Sequence, residues 1–152
     1  MSRHLISIAL LSLITTVAWA EFSARQKEFI KEKDKDFAAV VQNTNEKCGI
    51  ALKASIDWKS FQAEIDKYLD NKLGYHAMDS DYCPDVLFEL RNAYCKDDDA
   101  KANVKRKVKT FVCKFGGKGK QKLVVRGGTV TYWVDWDVRA STYVRTQLGK
   151  SL

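Results

Sequence analysis

Hydrophobic positions along the chain change period several times, and each change marks an element. From Phe22 to about Gln42, the residues Phe29, Ile30, Phe37, Val40 and Val41 recur near helical spacing, amid Glu and Lys placed to pair at i,i+4. This predicts a first helix. Its polar face is so heavily charged that residues 21–45 are expected to dock loosely, as an arm. From Gly49 to Asp57 the period becomes two. Ile50, Leu52, Ala54 and Ile56 fall on one side and Ala51, Lys53, Ser55 and Asp57 on the other, the pattern of a half-buried strand.

Asp57 is then a candidate N-cap for a second helix, in which Trp58, Phe61, Ile65, Tyr68, Leu69 and Leu73 fall at steps of three and four before a stop at Gly74. Residues 75–82 read as a loop. Pro84 sits where the first turn of a third helix tolerates it, with Asp85 and Glu89 near the positive end and Val86, Leu87, Leu90 and Tyr94 as the buried face. Asp97, Asp98 and Asp99 break that helix and cap a fourth over about 98–112. Val104, Val108, Phe111 and Val112 mark it, and it ends before Gly116-Gly117.

Two alternating runs, Lys122–Arg126 and Thr129–Trp136, flank Gly127-Gly128 and predict a two-residue hairpin. That turn sets Val125 opposite Val130 and Leu123 opposite Tyr132 on the core face. Lys122, Val124, Arg126, Thr129, Thr131, Trp133 and Asp135 fall on the other face. A last helix runs from about Ser141 to Leu148, with Tyr143, Val144 and Leu148 inward. The expected fold is one α+β domain over 21–152. It has a small antiparallel sheet of about three strands, one early strand plus the hairpin, covered on one face by four to five helices.

Residues 1–20 read as a cleavable secretory signal. Arg3 supplies the charge, Leu5–Val17 is a short apolar stretch, and Ala18-Trp19-Ala20 is a small-x-small cleavage site that predicts a start at Glu21. The apolar stretch falls short of the ~20 residues that cross a bilayer. The expected location is the bacterial periplasm or the extracellular space. An even number of cysteines in an exported chain favours two disulfides. Cys48, Cys83, Cys95 and Cys113 are 35, 12 and 18 residues apart with no C-x-x-C pair, a poor zinc pattern, so no metal is expected. Cys83 and Cys95 bracket one helix and stand about 18 Å apart, beyond disulfide reach. In an antiparallel pair of helices turning near Asp97, Cys83 and Cys113 meet at the open end. The expected bonds are therefore Cys83–Cys113, clamping the open end of the helical pair, and Cys48–Cys95, tying the first strand to its tip.

Charge then separates the chain into unequal parts. The net charge is +7. Residues 100–128 hold ten Lys or Arg and no Asp or Glu, whereas residues 21–99 hold 12 basic and 17 acidic residues. Lys101, Lys105 and Lys109 make an i,i+4,i+8 stripe on the expected fourth helix. Lys118 and Lys120 lie in the Gly-rich loop, and Lys122 and Arg126 lie on the outer hairpin face near Trp133, an aromatic flanked by cations. Together these eight residues form the expected binding surface for an acidic protein or an anionic envelope polymer, in an inhibitor-like or immunity-like role. Nucleic acid is the less favoured anion, and the rival account of the lysines is a solvated, solubilising face. Gly116–Lys120 lacks the spacing of a phosphate-binding loop and reads as a connector.

Catalytic groups are scarce. His76 is the only histidine outside the signal, with Tyr75, Asp79, Ser80 and Asp81 nearby. A small secreted hydrolase using His76 as general base with Asp79 or Asp81 is the alternative class, and a purely structural envelope component is a third. Neighbours along one loop rarely hold triad geometry, and no G-x-S-x-G elbow occurs. No cofactor is expected.

Overall fold

A computed structural model describes residues 21–70, 82–135, 137–138 and 140–152. The elements are helix α1 (Ala24–Cys48), strand β1 (Lys53–Ile56), helices α2 (Trp58–Leu69), α3 (Tyr82–Tyr94) and α4 (Asp98–Lys107), strands β2 (Thr110–Phe115), β3 (Lys122–Arg126) and β4 (Thr129–Val134), and helix α5 (Ala140–Ser151). The chain is α+β, as the patterning predicts. The signal segment 1–20, the helix end at Leu73-Gly74, the loop 75–81 and Trp136 lie outside the described residues.

The sheet corrects the expectation in two respects. It has four strands, not three, in the order β1-β2-β4-β3, and it is mixed, not antiparallel. β1 runs parallel to β2, β2 runs parallel to β4, and only the hairpin pair β3–β4 is antiparallel. The missed strand is β2, which takes the last three residues of the expected fourth helix, Thr110 to Val112, and continues through Phe115. Helix α4 stops at Lys107, and Val108 already has extended backbone. Residues 104–112 fit both periods. Val104, Val108, Phe111 and Val112 suit a helix, while Thr110/Val112/Lys114 and Phe111/Cys113/Phe115 alternate as in a strand. β-branched side chains favour the strand locally, and pairing on both edges, with β1 and β4, decides it.

The hairpin has the expected register, including Leu123 opposite Tyr132 and Val125 opposite Val130. Both turn residues have positive φ, 57° at Gly127 and 81° at Gly128, which glycine adopts without steric cost.

The helices cover one face of the sheet. Phe111, Cys113, Val130, Tyr132, Val134 and Leu123 point into this layer and are buried. Helix α1 is packed at several points along its length, because Phe29, Ile30, Phe37, Thr44 and Cys48 are all buried. Ser23 and Gln26 form a capping box at its start. Trp58, on the apolar stripe of α2, is only partly buried and packs edge-on against Phe29 at 6.2 Å between ring centroids. Asp57 occupies the N-cap of α2 without a side-chain capping bond, and its carboxylate pairs with Lys114 at 3.3 Å instead.

Both disulfides are those expected. Cys48–Cys95 has Cα atoms 5.1 Å apart and Cys83–Cys113 has them 5.8 Å apart. The route to the second bond differs from the expected one. Cys113 lies on the central strand β2 and not at the end of a helix, so the bond staples α3 to the sheet and does not close a helical hairpin. Two formed disulfides fit an exported protein. Among the described residues, no helix is long and apolar enough to cross a membrane.

Tyr132 illustrates how tightly the layers close. Its side chain is fully buried, and its hydroxyl accepts a hydrogen bond from Gln121 Nε2 at 2.9 Å. Burial pushes the phenol up to about 12 from its ordinary 10, with the Gln121 bond opposing the shift. Between those two values the unfolded chain releases this proton and the folded protein keeps it, so stability is lost as pH rises through the window. Tyr132→Phe is expected to flatten that part of the stability profile. Urea unfolding at a series of pH values from neutral to strongly alkaline checks it, and an unchanged alkaline slope would place the titration elsewhere.

Candidate functional site: the open face of the sheet

Alternation along each strand sends every second residue away from the helices. The register stacks these residues into rows across the four strands. One row runs Lys53, Thr110, Thr129, Arg126, the next Ser55, Val112, Thr131, Val124, and the third Lys114, Trp133, Lys122 with Asp57 at its β1 end. None of the strand residues in these rows is buried, whereas their alternates face the core. The result is an open face of small and β-branched side chains around one tryptophan. It carries four cations, Lys53, Lys114, Lys122 and Arg126, and no strand acid.

Trp133 lies between Lys114 and Lys122 across the strands. The ammonium of Lys122 is 5.7 Å from its ring centroid, a cation–π distance. The loop after β2 passes close by, and Gly116 permits the approach. A Cβ there would meet Trp133 Cβ at 3.0 Å and the Lys120 carbonyl at 2.9 Å.

That Gly-Lys loop is not an anion cradle, since four of its five amides are already used. Gly116 and Gly117 donate to the Val134 carbonyl, Lys120 donates to the Gly117 carbonyl, and Gly119 donates to Asp135 Oδ2 at 2.6 Å. Asp135 is buried and takes a second bond, from the Asp137 amide, at 3.0 Å. The chain's own carboxylate thus occupies the place an external anion would need. Lys118 reaches Asp137 at 3.1 Å.

The eight expected site residues therefore divide. Lys122, Arg126 and Trp133 share the open face. Lys118 and Lys120 lie on the loop after β2, where Lys118 lines a hollow with Glu64, Lys67 and Phe115. Lys101 and Lys105 belong to α4, which packs against α1 and α3 in the helical layer. The three-lysine stripe does not form, because Lys109 lies beyond the helix end. Its ammonium folds back onto the Lys105 carbonyl, and its stem lies against Gly128. Lys101 pairs with Asp98 at 3.5 Å. His76, Asp79 and Asp81 lie outside the described residues.

No protein-family model, curated protein or solved structure matches this chain. The face must be understood from its own chemistry.

Two of its cations, Lys53 and Lys114, were not singled out from the sequence. The signal for Lys114 was present. It shares the parity of Thr110 and Val112, but that parity has meaning only once 110–115 is a strand. Lys53 was placed on the outer side of β1, yet nothing in the sequence says that β1 joins the same sheet as the hairpin.

Proposed function

We propose that the protein acts by binding, and that the open sheet face is the surface that engages an acidic partner protein in the periplasm or outside the cell. The observation that supports this most directly is the placement of Trp133 amid Val112, Val124 and Thr131, with Lys53, Lys114, Lys122 and Arg126 around them. An aromatic and aliphatic centre with charged groups around it has the anatomy of a protein interface. A flat face suits a folded partner better than it suits a threaded polymer. The cations would accelerate encounter and select against basic partners, while the tryptophan would supply the apolar contact. An inhibitor-like or immunity-like role against another exported protein is the finer form of this reading.

The test compares capture of acidic proteins from native envelope extract by three immobilised forms of the protein. Lys122→Glu/Arg126→Glu is expected to weaken capture by at least about 10-fold, in keeping with like-charge repulsion at an interface. Trp133→Ala is expected to weaken it by about 30-fold, the loss of a central anchor. Lys101→Glu/Lys105→Glu is expected to change nothing, since those residues lie in the helical layer. Capture should also fall steeply with added salt. Equal capture by the sheet-face variants, or loss confined to the α4 variant, would overturn the assignment.

A further inference from the structure

The sheet has a second exposed feature, unrelated to its open face. β1 is an edge strand. Its backbone groups alternate between the neighbour β2 and the free side. Lys53 donates to the Lys109 carbonyl and Asp57 donates to the Cys113 carbonyl, so odd-numbered residues face β2. Even-numbered residues face outward. At the first of these, Leu52, the side chain of Asn45 acts as a substitute strand. Asn45 Oδ1 accepts from the Leu52 amide at 2.8 Å, and Asn45 Nδ2 donates to the Leu52 carbonyl at 3.3 Å. The next two, Ala54 and Ile56, have no such substitute among the described residues. Their N–H and C=O groups are left on the free edge.

Beside that edge runs a groove of about 360 Å³ between β1 and α1, lined by Phe37, Ala38 and Val41 from the helix and Ala54 and Ile56 from the strand. A second hollow of about 320 Å³ continues it and shares Asp34, Ile56 and Trp58 with the first. Asp34 stands where the two meet. Its carboxylate accepts a hydrogen bond from Trp58 Nε1 at 2.8 Å and has no cation partner among the described residues. Partial burial raises its pKa, against the lowering effect of the indole bond. An incoming positive charge would be favoured there.

We propose that the free edge of β1 and the groove beside α1 form a second binding site, which takes an extended peptide segment of a partner protein by strand addition. Residues opposite Ala54 and Ile56 on an added strand point to the groove side. The one beside Ala54 meets Phe37 and Val41 and is apolar. The one beside Ile56, two positions away, reaches Asp34 and is Lys or Arg. The backbone bonds provide affinity for any extended chain, and the apolar–basic pair provides selectivity. A second copy of this protein pairing edge to edge is the competing occupant, and the experiment separates the two.

Random displayed peptides of about seven residues, enough to run past so short a strand, are selected on the oxidised protein. The expected winners carry an apolar and a basic residue two positions apart. Synthetic winners are expected to slow hydrogen exchange at the Ala54 and Ile56 amides by about 10-fold or more. N-methylation of the peptide amides that face β1 should weaken binding by about 10-fold or more, and methylation of the alternate amides should not. Asp34→Asn keeps an oxygen for the Trp58 bond, so the fold survives, and is expected to abolish the preference for the basic residue. Winners lacking the pair, no winners at all, or protection that maps to the open sheet face would overturn the proposal. So would a dimer in solution that already protects Ala54 and Ile56. None of these readouts uses Trp133 or Lys122, so failure here leaves the sheet-face reading standing, and failure there leaves this one standing.

Discussion

Replacing Cys83 and Cys113 together by alanine is expected to lower the stability of the protein by about 3–4 kcal/mol. The bond closes a loop with a sequence separation of 30, and a cross-link of that span removes much of the freedom of the unfolded chain. Its position adds to the effect. Cys113 is fully buried on β2, a strand with neighbours on both edges, and Cys83 lies in α3, which packs over the sheet. Loss of the bond frees a helix from the middle of the sheet and leaves small voids at both ends. The fall in midpoint temperature should be roughly 10–15 °C for a domain of this size. Thermal unfolding followed by circular dichroism measures it directly. A change below about 1 kcal/mol would mean that the packing of α3 holds the two ends together without the bond.

The second large effect concerns the segment where the two periodicities compete. Phe111→Ala is expected to cost about 3–5 kcal/mol, and Val112→Ala less than about 1 kcal/mol. Phe111 is fully buried on the inner face of β2 and packs against Phe37 of α1, with ring centroids 6.2 Å apart. Val112, one residue later, is on the open face and only partly covered. A helix would instead place Val108, Phe111 and Val112 on one buried stripe, and both substitutions would then be costly. Chemical denaturation of the two variants therefore distinguishes strand from helix in solution. Comparable losses would remove β2, and with it the row that sets Lys114 beside Trp133.

Patterning was informative where one period stood alone. The hairpin could be placed to the residue because two adjacent glycines fix the turn and the turn fixes the register. Helices α1, α2, α3 and α5 were visible because their apolar stripes have no competing strand alternation. The cysteine pairing was also accessible, since a helix of known rise separates Cys83 from Cys95. The pairing was right even though its premise, a long helix ending near Cys113, was not. The same misplaced boundary scattered the expected binding surface. It joined Lys101, Lys105 and Lys109 into a stripe that does not exist, and it hid Lys114 from the tryptophan it neighbours.

The amino-acid sequence by itself determined most of the local elements, the hairpin register, the staples and the excess of positive charge. These follow from short-range physics, namely turn geometry, side-chain period and chain reach. Only the tertiary structure decided that residues 110–115 are a strand, that β1 joins it in parallel, and which cations share a face with Trp133. A segment compatible with two periods takes the conformation that its neighbours in space can pair with, and those neighbours lie more than fifty residues upstream at β1 and nearly twenty downstream at β4. Pairing of that kind is a property of the assembled sheet and leaves no mark in the local pattern.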